Sequence, residues 1–451
     1  MTGYRNQAAA FDPTRAKPII VSSTTDRIDL QAQPLADVGY ALFGDLIQTS
    51  SQAGIPLQIT ENDTRQIAPR IGVAWRPFGD RTVLRGGYGV FYEAEGTSGR
   101  LNFNFLPFSL SETVNATTNV VPTRTLGNYF LGVPFGTSVG TIGWTPLPLR
   151  ADMGRDQRWN VGVQQLIPGR MSVELNYVGT RGSDQQQAEP INIPDPGPGN
   201  IQARRPYPRF GNLNIHTQAL SSEYHALQAK LQKRPSGGVW YLASYTYSRS
   251  RTTSPAPEIG GNFTYDTGPS SFDIPHLLAL SFGSELPFGS GKRLLGGAGR
   301  LANALVGGWQ AQGIINYRSG LPFTPTISRD VANTGVGNQR PNRIGSGVNQ
   351  NPMLDAWFDK SAFVEPAQYT YGNSGRNILR ADHQWNVDAS LFKKLAVNGS
   401  STLELRAEAF NLLNSVYFDR PNTAIDTAAG GRVTATSNKA RQLQFGVKYI
   451  F

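Results

Sequence analysis

Few residues of this chain stand in patterns that could do chemistry. Gly136, Ser138 and Gly140 match the G-x-S-x-G spacing of a hydrolase nucleophile elbow. That elbow works on a sharp strand-to-helix turn with a histidine and an acid nearby. Here it lies in a Gly/Pro-rich stretch with no helical pattern after it. Gly289-Ser290-Gly291-Lys292-Arg293 hints at a phosphate loop, but Arg293 stands where Ser or Thr must hold the metal. It reads as a hairpin turn. The four histidines, His216, His225, His276 and His383, have no metal-ligand spacing. What remains is Glu404, Arg406 and Glu408, alternating on one strand face. They either line a wet interior and contact a solute, or form a cross-strand charge ladder that stabilises the wall. The sequence thus predicts no enzyme, no catalytic residue, no metal and no cofactor.

Composition narrows the class of element that carries these residues. Cysteine is absent, which removes disulfide scaffolds and thiolate chemistry. There are 49 Gly and 30 Pro in 451 residues, aromatics reach 10% and charged residues only 16%. That mix disfavours helices and suits many strands joined by turns. No run approaches the 18 or so apolar residues of a membrane helix. A mean hydropathy of −0.33 is uninformative about membrane strands, where only alternate residues meet lipid. The net charge is +10. Only nine of the 42 basic residues are lysine, and the arginines are scattered singly. Such a pattern argues against a nucleic-acid partner. The first residues, Met1 to Asn6, lack a charged-then-apolar leader. That predicts either a cytoplasmic protein or a chain missing its beginning.

Period-two alternation bounded by turn residues predicts eleven strands. They fall at 66–76, 81–93, 156–167, 171–180, 222–234, 239–250, 275–286, 309–319, 384–394, 402–413 and 440–451. The last carries the clearest signal. Leu443, Phe445, Val447, Tyr449 and Phe451 are apolar at every second position, and the sequence stops on the last of them. The connections alternate between short Pro/Gly/Ser turns and long segments (94–155, 181–221, 251–274, 320–383 and 414–439). Keeping every long segment at one end is the habit of an outer-membrane barrel, with tight periplasmic turns and long extracellular loops. A strand hidden in 27–47 would make twelve. Aromatics near strand ends (Trp159, Tyr177, Trp240, Trp309, Trp385, Tyr449) suit interfacial girdles. In the long segments, Trp144, Trp357, Tyr369 and Tyr371 either contact a sugar or peptide ligand or pack the loops together.

Several segments resemble the barrel of TonB-dependent outer-membrane receptors. They are Ala68-Pro69-Arg70-Ile71-Gly72-Val73-Ala74-Trp75, Leu84-Arg85-Gly86-Gly87-Tyr88-Gly89-Val90-Phe91-Tyr92 and, most specifically, Leu405-Arg406-Ala407-Glu408-Ala409-Phe410-Asn411-Leu412-Leu413-Asn414. The similarity is closest to the Oar-like subgroup, which bears a carboxypeptidase regulatory-like domain. It spans the chain from about Phe11 onward.

The resemblance implies an all-β antiparallel transmembrane barrel of which these eleven strands are the C-terminal half of 22. Residues 1–65 would then be an extracellular loop region and 66–451 the C-terminal barrel portion. It also implies residence in the bacterial outer membrane and uptake of a large, unnamed solute bound at the extracellular loops. The implied partners are outer-membrane lipid, the barrel-assembly machinery reading the closing strand, and the TonB energy complex acting through a plug that this chain lacks. A barrel serving structure or adhesion, without transport, is the competing expectation.

Overall fold

A computed structural model describes residues 9–23, 44–57, 61–62, 66–93, 142–144, 146, 149–151, 153–253, 259, 265–397 and 401–451. The proposed strand within 27–47 and the Gly136–Gly140 motif lie mostly or wholly outside these residues.

Near the start, β1 (Ala9–Phe11), β2 (Ile19–Val21) and β3 (Ile47–Thr49) form a small sheet. β1 and β2 pair antiparallel, β2 and β3 parallel. The main sheet is an antiparallel meander of eleven successive strands. These are β4 (Arg70–Trp75), β5 (Thr82–Tyr92), β6 (Arg155–Ile167), β7 (Met171–Pro190), β8 (Phe210–Ser236), β9 (Val239–Thr252), β10 (His276–Glu285), β11 (Trp309–Arg318), β12 (Gln384–Ala396), β13 (Thr402–Phe410) and β14 (Gln442–Ile450). Among the described residues β4 and β14 form its two edges and do not pair with each other.

Register makes the two faces chemically opposite. One row runs Trp75, Leu84, Val163, Leu175, Ala229, Tyr245, Leu278, Tyr317, Trp385 across nine strands. Another runs Leu391, Ala407, Phe445 across the last three. Phe445 and Val447 are 78% and 72% exposed, which water would penalise and lipid favours. The opposite face carries Gln164, Glu174, Lys230, Ser244, Ala279, Asn316 and Asn386 in one row. A strand such as β14 rises about 30 Å over nine residues, the thickness of a bilayer's hydrocarbon.

Glycine lets large aromatics lie across the sheet. A Cβ on Gly179 would stand 2.2 Å from the Trp159 ring, and one on Gly283 2.4 Å from that of Trp240. Trp240 shares the polar face with Gly283, its register partner, so it departs from the lipid-facing girdle expected of it. Its neighbours Val239 and Tyr241 hold the apolar face by alternation.

Two boundaries differ from expectation. β7 and β8 continue pairing through Glu189 and Ile215, where 181–221 reads as loop. This extension is bulged between Gly182 and Gln187 and largely polar there, so ladder hydrogen bonds sustain that part, while Phe210, Leu213 and Ile215 at its far end bury apolar side chains. β13 stops at Phe410 because Asn411 and Asn414 take left-handed backbone conformations, φ 52° and 53°. The Asn411 amide then accepts from Ser415 N at 2.8 Å and donates to Ser415 O at 2.9 Å, capping the turn.

A lipid-facing position should punish charge where a polar-face neighbour does not. Val161→Arg is expected to cost about 2–4 kcal/mol at mid-membrane depth, and Gln164→Arg close to nothing. The level of folded, heat-modifiable protein in outer membranes checks the contrast.

Candidate functional site

The polar face ends, on the long-connection side, under a cap built from 191–209, 265–275, 319–383 and 411–441. The segment 319–383 is its hub. It folds on short ladders, Pro322–Phe323 with Leu379–Arg380 and Asn342–Arg343 with Phe363–Val364. Phe323, Phe358, Ala362, Phe363 and Leu379 bury a small core beneath it. Trp357 packs edge-on to Phe418 and donates its indole N–H to Arg380 O at 3.0 Å.

Arginines fasten the hub to its neighbours. Arg340 Nη2 meets Asp266 Oδ1 at 3.0 Å with both side chains buried, and its guanidinium lies 3.6 Å from the centre of the Tyr265 ring. Arg380 Nη2 reaches Asp273 Oδ2 at 2.5 Å while Nη1 donates to Asp273 O and Gly320 O. Arg376 donates to Thr252 O and to Gly268 O. Burial lowers the Arg376 pKa, offset in part by the nearby Asp266. Arg204 donates to Asn333 O, and Asn333 Nδ2 returns bonds to Gly197 O and Gly199 O. Such multi-acceptor bridging needs a planar fork of five donors, which lysine lacks. On the remaining side Asp426 accepts from the Ser328 hydroxyl at 2.6 Å and its amide at 2.9 Å.

The small β1–β3 sheet joins the same end. Phe11, Ile19, Val21 and Ile47 share a core with Phe210 and Leu213 of β8. Asn192 locks the adjoining turn, donating to Tyr207 O, Phe210 O and Gly211 O.

A cleft of about 260 Å³ opens beside 191–196, lined by Glu189, Asp195, Ile193, Ile259 and Tyr371. The Tyr371 ring stands 6.4 Å from Tyr265. Of the loop aromatics singled out from sequence, Tyr371 faces this cleft and Tyr369 is half-buried with φ 64° two residues before it. Trp357 is in the hub core instead. Trp144 ends a short strand pairing parallel with β8. The cleft carboxylates Glu189 and Asp195 escaped sequence reasoning, since nothing in their spacing marks them.

Glu404, Arg406 and Glu408 share the polar face. Glu404 is buried and accepts from Arg406 Nε at 2.5 Å; Arg406 Nη1 also approaches Glu408 at 3.9 Å. Register sets Glu404 between Lys394 and Lys448 on the flanking strands. Three histidines neighbour tyrosines: Tyr177 Oη lies 2.8 Å from His225 Nδ1, Tyr245 Oη 2.7 Å from His276 Nδ1, and the Tyr317 ring 5.9 Å from His383. No metal-ligating cluster occurs among the described residues.

Two outcomes test the cap. Arg340→Ala removes the guanidinium from the buried Asp266 carboxylate, at an expected cost of about 3–5 kcal/mol. Accelerated amide exchange in 265–275 reads that loss. Burial raises the Asp426 carboxyl, yet the Ser328 hydroxyl and amide, together with the Asp426 and Arg329 amides, more than offset it and hold the pKa below the usual carboxylate value. Its contribution is therefore present above about pH 4 and lost as pH falls further. Protease nicking of 414–439 should stay constant from neutral pH to about 5 and rise below about 4, and Asp426→Asn should abolish that step and nick readily at neutral pH.

A search of curated proteins finds no match. Among solved structures, the Escherichia coli outer membrane transporter YddB is similar at 12% identity, with 85% of this chain, 40% of that one and a TM-score of 0.45. The ferric-catecholate import receptor Fiu from K12 E. coli is similar at 10% identity over 84% of this chain and 34% of that one, TM-score 0.40. FpvA of Pseudomonas aeruginosa PAO1, bound to pyoverdine, is similar at 10% identity over 85% and 36%, TM-score 0.42. The chain thus spans between about a third and two-fifths of the length of these three. The family model described as an outer membrane beta barrel domain matches residues 1–444. With lipid-facing and polar faces alternating along an antiparallel meander, this chain belongs to the outer membrane beta barrel domain family and resides in the bacterial outer membrane.

Proposed function

We propose that this chain is the C-terminal barrel portion of a TonB-dependent transporter of the Oar-like subgroup, admitting a large solute through a plugged barrel. The observation that carries the reading is the pair of sheet edges, β4 and β14, which have no strand partner among the described residues, beneath the cap. An edge strand in hydrocarbon leaves its N–H and C=O groups without partners, each a cost of several kcal/mol. Further strands must therefore complete the wall, and the polar face becomes the inside of a wide barrel. A lumen of that width needs a plug. In this reading residues 66–451 are wall and loops, and 1–65 belong to the extracellular surface.

The cap is then the solute-binding surface, with Tyr371, Tyr369 and the cleft carboxylates as contacts. Glu404, Arg406 and Glu408 line the lumen, where a displaced plug or a passing solute meets them. Leu443, Phe445, Val447, Tyr449 and Phe451 present the assembly signal on the lipid side of the closing strand.

Protein made from the complete genomic locus should be retained by the immobilised periplasmic domain of TonB. A folded outer-membrane barrel that is not retained would overturn transport and favour a structural or adhesive role.

A further inference from the structure

The connection between β10 and β11 carries α1 (Arg300–Val306), a helix with an unusual surface. After Arg300 its exposed residues are Leu301, Ala302, Ala304 and Leu305, all apolar. Leu301 is 86% exposed and Leu305 74%. A helix facing water presents polar residues there. The polar Asn303 is instead turned inward, where its side chain accepts from Ser290 N at 2.6 Å.

The helix is fixed to the apolar side of the sheet. Lys393 shares that face with Leu391, and its register partners are Trp309 and Leu405. A cation there would be costly in lipid. Lys393 is buried at 3% exposure, donating from Nζ to Ala304 O at 2.5 Å and Leu305 O at 3.1 Å. Those carbonyls end the helix, the end that favours a cation. The Trp309 indole N–H donates to Leu305 O at 2.8 Å, with Lys393 Nζ 5.3 Å from its ring. Phe288, Leu294 and Leu295 add further exposed apolar surface, and Arg293 and Arg300 flank it with positive charge, while Lys292 is paired with Glu285 at 2.7 Å.

We infer that α1 is an interfacial anchor that seats Leu301 and Leu305 among the acyl chains and headgroups of the periplasmic-leaflet phospholipid. Three features select this occupant. The surface is continuous with the lipid-facing belt through Trp309, its rim is basic, and an interfacial helix has this division of apolar and cationic residues. Lys393 and Trp309 are positioning residues that hold the helix against the wall. The choice of leaflet rests on the transmembrane orientation proposed above; the contact with lipid does not.

The absence of native cysteine allows single-cysteine spin labels without background. Leu301→Cys and Leu305→Cys are labelled in full-length protein in native outer membranes, with Asp80→Cys in the β4–β5 turn as a water-exposed reference. Collision with oxygen should exceed collision with a water-soluble nickel chelate at 301 and 305, and the ratio should reverse at 80. Nickel access at 301 and 305 equal to that at 80 would overturn the anchor, as would shielding from both probes, which would indicate a protein partner. Lys393→Met should raise label mobility at 305; unchanged mobility would remove Lys393 from the account. A membrane-impermeant maleimide on intact cells should label Gln350→Cys and not Asp80→Cys. The opposite result would reverse the leaflet while leaving lipid contact intact.

Discussion

Every backbone N–H and C=O that crosses hydrocarbon must find its partner inside the protein, because no water is there to substitute. The meander meets that demand by pairing each strand with its successor, from β4 to β14. Side chains are secondary to it. β7 and β8 keep their ladder through a bulged, largely polar stretch, and only its far end, at Phe210, Leu213 and Ile215, buries apolar side chains. The same demand makes the two sheet edges the most consequential feature of the molecule. Inside the ladder the strands satisfy one another; at β4 and β14 one row has no strand partner among the described residues, and lipid cannot supply one.

With the backbone committed, alternation sorts the side chains. Apolar residues take one face and polar ones the other, so a wall of one-strand thickness has no conventional core of its own. Burial is concentrated where loops fold over the polar face or pack on β8. The loops carry many polar groups, and arginine is the device that joins them. Arg340, Arg376 and Arg380 each reach acceptors on a segment distant in sequence, so one side chain replaces several loop-to-loop hydrogen bonds. At the opposite end, Lys393 performs a related task on the apolar face, where a helix terminus receives its charge.

Much of the fold was legible in the sequence because a period of two is enforced residue by residue. In β14 alternation exposes Leu443, Phe445, Val447 and Tyr449 together, and in β13 it groups Glu404, Arg406 and Glu408 opposite them. The short turns fix their hairpins, since they leave the strands they join no other neighbour; the pairing across the long segments was shown by the structure. Alternation failed at Trp240, an aromatic on the polar side, because space for its ring came from Gly283 across the ladder rather than from any local pattern. It also failed beyond Arg181, where pairing continued without a pattern to announce it.

The sequence by itself determined the class of fold, the setting in a membrane and which side of each strand meets lipid, because those depend on local periodicity. Only the tertiary structure decided what the long segments do. Arg340 finds Asp266 across 74 residues and Arg376 finds Thr252 across 124, distances over which spacing holds no information. It also decided that Trp357 packs in the hub while Tyr371 lines a cleft, although both are aromatics in one long loop. The helix Arg300–Val306 shows the same division. Its apolar composition is plain in the sequence, but the face it turns outward was fixed by Lys393 and Trp309, which come from different strands.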